Sequence, residues 1–153
     1  MINQEKWDLR FLALAKEVST WSKDPSTQVG AVLVKDRKVV GMGFNGLPEK
    51  VLDTEERLND RALKYPMTVH AEVNAILQAG HAAKGATIYV YPSFDMPPIC
   101  SDCAGVAIQA GVAGIVGFAP EENDERANRW KDSIDISAQM WKEAGLLIRE
   151  YKE

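Results

Sequence analysis

Residues 68–78, Thr68-Val69-His70-Ala71-Glu72-Val73-Asn74-Ala75-Ile76-Leu77-Gln78, decide how the chain folds when they are read with Ala86-Thr87-Ile88-Tyr89-Val90-Tyr91 just downstream. The first run sets Val73, Ile76 and Leu77 at helical spacing, with Gly80 where a C-terminal cap belongs. The second is β-branched and aromatic, which is the composition of a strand. The alternation then repeats. Ser101 to Gln109 reads as a helix closed by Gly111, Val112 to Phe118 as a strand, Ser133 to Ala144 as a helix closed by Gly145, and Leu146 to Tyr151 as a last strand. Helix and strand in alternation imply parallel neighbours joined by right-handed crossovers.

Upstream the pattern differs. Trp7, Phe11, Leu14, Val18 and Trp21 recur at intervals of four and three, so residues 4–22 are expected to form an amphipathic helix whose stripe, tryptophans included, is core. Val29-Gly30-Ala31-Val32-Leu33-Val34 and the run from Val39 to Phe44 flank Lys35-Asp36-Arg37-Lys38, and they read as an antiparallel hairpin. The sum is an α/β chain with a mixed sheet and helices on its faces. Two segments interrupt it. Residues 49–66 are a polar excursion with a short helix expected from Thr54 to Leu63, of a length that often serves as a lid or binding loop. Pro92 to Pro98 holds three of the seven prolines and cannot be regular structure. The acidic run Glu121-Glu122-Asn123-Asp124-Glu125 is expected to be a solvated loop.

Both cysteines sit in Cys100-Ser101-Asp102-Cys103, at the start of one expected helix, and His70 opens another. An imidazole and two thiolates suit zinc. A disulfide or a thioredoxin-like redox pair would leave His70 and Glu72 unexplained. Structural zinc sites are normally closed by four protein ligands, and the other histidine, His81, lies past Gly80 at the far end of its helix. Three ligands leave one coordination position for a water, whose pKa zinc lowers to about 7. Glu72, poorly placed as a fourth ligand, would shuttle that water's proton. The helix tips add their own field, which favours anions and lowers thiol pKa values.

Composition bounds the rest. A chain of 153 residues, 46% hydrophobic and 26% charged, is expected to be one soluble domain spanning 1–153. Its amino terminus lacks a secretion signal and no apolar run is long enough to span a bilayer, so a cytoplasmic protein without a membrane partner is expected. With 18 basic against 22 acidic residues and no basic stripe, a nucleic-acid partner is not expected, whereas a small anionic substrate needs only a local pocket.

With these residues in view, the chain resembles the cytidine and deoxycytidylate deaminase superfamily from Ser22 to about Phe118. His70-Ala71-Glu72-Val73-Asn74-Ala75-Ile76 with Tyr65-Pro66, and Cys100-Ser101-Asp102-Cys103-Ala104 with Ile108-Gln109-Ala110-Gly111, are similar to the two metal motifs of the whole superfamily. Ser22-Lys23-Asp24-Pro25, Gln28-Val29-Gly30-Ala31 and Gly43-Phe44-Asn45-Gly46-Leu47-Pro48 are similar to pieces of the deoxycytidylate branch. The resemblance implies a three-layer α/β/α cytidine-deaminase-like fold with a five-stranded mixed sheet. It implies zinc (Zn2+) on His70, Cys100 and Cys103, and Glu72 as proton shuttle in the hydrolysis of dCMP to dUMP and ammonia. It also implies that the Ala71 backbone contacts the pyrimidine and that Asn45, structural on spacing alone, reaches the sugar. Lys23, with Ser22 nearby, is the candidate for the phosphate. A homo-oligomer, often a hexamer, and the effectors dCTP and dTTP belong to the same implication.

Two departures keep other substrates open. Ile99 stands where the family usually has proline before the first cysteine, and the loop Pro92-Ser93-Phe94-Asp95-Met96-Pro97-Pro98 is longer. Ser137-Ala138-Gln139-Met140-Trp141 occupies the helix in which the family tends to carry an arginine, and the nearest basic residues are Arg126, Arg129 and Lys131. A nucleoside, a free base such as cytosine or guanine, or a triazine is the alternative. The tRNA adenosine deaminases share the motifs, but the acidic balance argues against them.

Overall fold

The computed structural model describes residues 3–153. Helix α1 (Gln4–Ser19) leads into the hairpin β1 (Gly30–Lys35) and β2 (Lys38–Phe44). Asp36 and Arg37, both at positive φ, make the tight turn between the two strands. The short helices α2 (Glu55–Asn59) and α3 (Arg61–Met67) precede α4 (Ala71–Ala79), which a 3-10 turn at Gly80–Ala83 joins to β3 (Thr87–Tyr91). After β3 come α5 (Ser101–Gln109), β4 (Gly114–Phe118), α6 (Glu125–Glu143) and β5 (Leu147–Tyr151). The strand order is β2-β1-β3-β4-β5. β1 pairs antiparallel with β2 and β3, whereas β3, β4 and β5 are parallel, as the change from hairpin to crossover connections requires.

Strand alternation sorts the core into two layers. On one face Phe11, Leu12, Ala15 and Val18 of α1 cover Val32, Val34, Tyr89 and Val116. On the other, α4, α5 and Trp141 of α6 cover Ala31, Leu33, Ile88, Val90 and Ile115. A Cβ on Gly41 or Gly43 of β2 would run into the carbonyls of Ala75 and Ala71, so α4 lies directly against the strand because those residues are glycine. Among the described residues no helix is long and apolar enough to cross a membrane.

Three elements differ from the expectation. α1 stops at Ser19, where Ser19 Oγ and Thr20 Oγ1 donate back to the carbonyls of Lys16 and Glu17. Trp21 therefore leaves the stripe and stands 48% exposed, edge-on to Phe44. The short helix in the polar excursion is split in two at Asp60, whose carboxylate caps α3 by accepting from the Ala62 N–H. α6 begins at Glu125 and not at Ser133, and Asp124, in the run read as a solvated loop, caps it by accepting from the Arg126 N–H.

Candidate active site

His70 is the last extended residue before α4 and Cys100 the last before α5, so both side chains project from helix tips; Cys103 follows one turn into α5. Gly46 and Val69 exchange backbone hydrogen bonds across an isolated bridge, and the Asn74 amide donates to the Phe44 carbonyl, which fixes the approach to His70. Ser133 of α6 accepts from the Ser101 N–H at 2.8 Å and so ties α6 to the tip of α5. Trp130, one turn earlier on α6, meets the His70 ring edge-on at 6.0 Å.

His70 Nδ1 lies 3.5 Å from Cys100 Sγ and 3.2 Å from Cys103 Sγ, and the three donor atoms are all within 4.8 Å of one another. Tetrahedral zinc, with bonds of about 2.3 Å to sulfur and about 2.0–2.1 Å to nitrogen, separates such donors by about 3.6 Å. The donor chemistry and the spacing therefore fit zinc, bound through Nδ1. Among the described residues the cluster has three members and no fourth ligand.

The electrostatics are those of a site built for a cation. A hydrogen bond from Cys103, aided by His70, brings Cys100 down to about 4, while the same shared proton and burial push Cys103 up. The Cys100 sulfur in turn raises His70 to about 9. Negative charge on Cys100 and positive charge on His70 thus favour each other, and metal binding displaces protons from such ligands. Burial pushes Glu72, 6% exposed, up to about 7 against the opposing pull of His70.

His70, Ala71, Glu72, Cys100 and Asn45 all line a cavity of about 360 Å³. Asn45 is heavily engaged: its Oδ1 accepts from the Val29 N–H, its Nδ2 donates to the Thr27 carbonyl, and its own carbonyl accepts from buried Ser22. Lys23 does not line this cavity; its ammonium pairs with Asp53 on the surface at 2.9 Å. His81 lies exposed in the 3-10 turn. Sequence reasoning missed Lys64 and Tyr65 of α3 and Arg129, Trp130 and Ile134 of α6, all in the cavity wall. For α6 a signal existed: Trp130, Ile134, Ser137 and Trp141 recur at four, three and four, continuing the helix two turns upstream.

A buried carboxylate beside an open centre of one imidazole and two thiolates, on the tips of two helices under a mixed sheet, defines the class of zinc-dependent hydrolytic deaminases. The zinc-binding region of the cytidine and deoxycytidylate deaminases matches residues 5–119, and the chain belongs to that family. It is 41% identical to an uncharacterised deaminase of Aliivibrio fischeri, over 94% of this chain and 92% of that protein. It is 33% identical to the deoxycytidylate deaminase of Mus musculus, over 95% of this chain and 80% of that one. The dCMP deaminase of cyanophage S-TIM5, solved in complex with dCMP and dUMP, shares the fold with a TM-score of 0.69 at 23% identity, over 98% of each chain.

Proposed function

We propose that the protein hydrolyses dCMP to dUMP and ammonia, with His70, Cys100 and Cys103 as zinc ligands and Glu72 as the proton shuttle. The observation that carries this reading is the buried Glu72 carboxyl sharing one cavity with a three-donor centre. Zinc, when bound, supplies the Lewis acidity that makes water nucleophilic at neutral pH. Glu72 accepts a proton from the attacking water and delivers it to the ring nitrogen beside the carbon under attack. After attack, Glu72 takes the proton of the newly attached hydroxyl and passes it to the amine, so that ammonia leaves as the ring carbonyl forms. A carboxyl held up to about 7 exchanges protons readily in both directions at neutral pH. The backbone at Ala71, at the amino tip of α4, contacts the pyrimidine, and Asn45, which lines the same cavity, reaches the sugar. The deoxycytidylate deaminase relatives and the nucleotide complex of the phage enzyme support the substrate.

A second reading, a deaminase of a nucleoside, free base or triazine, is favoured by the wall that Pro92, Phe94, Pro98 and Ile99 of the longer loop give the cavity. Ammonia release from dCMP, deoxycytidine, cytosine, guanine and several triazines, measured side by side on the zinc-loaded protein, decides between them. Preference for dCMP is the expected outcome; turnover of phosphate-free compounds alone moves the assignment to the second reading. Family resemblance also supports a cytoplasmic homo-oligomer regulated by dCTP and dTTP, which gel filtration and turnover with each effector would test.

A further inference from the structure

The sequence offered Lys23 for the substrate phosphate, but the cavity contains a different lysine. Lys64 of α3 is a buried cation, its side chain 2% exposed. Its Nζ lies 3.2 Å from Asp24 Oδ1 and 3.4 Å from Ser26 Oγ, and Lys64, Asp24 and Ser26 all line the cavity. Asp24 Oδ1 is already shared, since it accepts the backbone N–H of Ser26 at 2.8 Å and of Thr27 at 3.1 Å. An ammonium has three protons to donate, and a buried one incurs a large desolvation cost unless they are taken up. Beyond the Tyr65 ring, whose centroid lies 5.8 Å from Nζ, one crowded carboxylate oxygen and one distant hydroxyl are its partners, which leaves the cation short of acceptors. The charged side chains of the wall are Asp24, Lys64, His70, Glu72 and Arg129; with His70 and Glu72 assigned to the metal centre, Lys64 and Arg129, which donates to the Tyr65 hydroxyl at 3.0 Å, remain against Asp24. That balance is complementary to an anion.

The spacing is also fixed. Thr68 ties the Lys64 carbonyl to the segment entering His70 through both its N–H, at 2.8 Å, and its hydroxyl, at 2.7 Å. The cation and the imidazole thus hang on one braced stretch of chain. We infer that Lys64 is the specificity-determining contact for the phosphate of a nucleoside monophosphate, with Asp24 as its resting counterion. This rests on the nucleotide reading above and names the residue that enforces it.

The test is equilibrium binding of dUMP and deoxyuridine, by calorimetry, to the zinc-loaded wild type and to Lys64→Met. The dUMP-to-deoxyuridine affinity ratio of the wild type should fall roughly 10- to 100-fold in the variant, the usual worth of a hydrogen bond to a charged group. A purely structural lysine would weaken both ligands together and leave the ratio standing, which would overturn the assignment. So would a wild type that binds dUMP no more tightly than deoxyuridine. If Lys64→Met fails to fold because Asp24 is left unpaired, Lys64→Met with Asp24→Asn removes both charges and is read by the same ratio. Absence of ammonia release from dCMP would sink the functional reading separately, since the binding ratio needs no turnover.

Discussion

Two buried carboxylates, on opposite faces of the sheet, show how the chain separates stability from chemistry. Asp8 of α1 is fully buried and saturated: Gln4, Tyr89 and Arg149 donate to Oδ1, and Arg149 and Tyr151 to Oδ2, at 2.6–3.1 Å. Glu72 is almost as buried, yet among the described residues no side chain donates to it. The titrations diverge accordingly. Burial would raise Asp8, but the hydrogen bonds from Arg149, Tyr89, Tyr151 and Gln4 outweigh it and hold the carboxyl below its ordinary range. Burial prevails at Glu72 and lifts it to about 7. A charge whose lone pairs are all taken joins α1 to the last strand; one left open can exchange a proton.

The comparison breaks most sharply at Glu72. Glu72→Gln should keep its zinc, measured by metal analysis, while ammonia release falls by about 10²–10⁴-fold, the usual range for a positioned acid/base. Turnover near the wild-type rate would show that the open carboxylate is not the shuttle. The converse change, Asp8→Ala, leaves Arg149 facing two tyrosines without its counterion. It should cost about 3–5 kcal/mol in denaturant unfolding, with the zinc content intact. Its pH dependence has a definite sign. A carboxyl lowered in the folded state stabilises fully above its unfolded pKa, near 3.8, and that contribution is lost as pH falls through the lower folded value. The stability gap between wild type and Asp8→Ala should therefore be constant near neutrality and shrink below about pH 4.

A smaller effect is expected where the two faces meet the backbone. Gly43→Ala inserts a methyl between β2 and the Ala71 carbonyl at the tip of α4, and overpacking of this kind costs about 1–3 kcal/mol. Because the displaced helix carries His70 and Glu72, turnover should drop along with stability. A purely structural Gly43 would lower the melting temperature and leave kcat of the folded fraction alone.

How far the sequence reveals each cluster follows from where its residues come from. His70, Glu72, Cys100 and Cys103 stand at helix starts, so local spacing names them, and the structure brings the three donors together. Asp8 and Arg149 are joined at 2.6 Å across nearly the whole chain, and no pattern within either segment announces the pair. The hairpin and the helix-strand alternation are legible because the strands are short apolar runs rich in β-branched residues and the helices carry a period of 3.6. The ends are less so: Ser19 and Thr20 close α1 by bonding to its own carbonyls, which stranded Trp21 outside an otherwise regular stripe. The first two turns of α6 were masked by acidic residues whose capping role at Asp124 outweighs their look of a loop. Lys64 was hidden for a related reason, since a lysine in a polar stretch reads as solvated until α3 folds it inward.

The two lysines give the finest form of the comparison and the smallest expected effect. Lys23 and Asp53 are 72% and 45% exposed, and a solvated pair of this sort contributes little to stability. Lys64 and Asp24 are 2% and 10% exposed, in the wall of the cavity. Lys23→Ala should therefore leave thermal unfolding, zinc content and the dUMP-to-deoxyuridine affinity ratio all within error of wild type. If that ratio falls in Lys23→Ala instead, the phosphate end lies in the neighbouring polar hollow that Lys23 lines with Lys16 and Arg126, and the buried lysine serves only to brace the loop at Asp24.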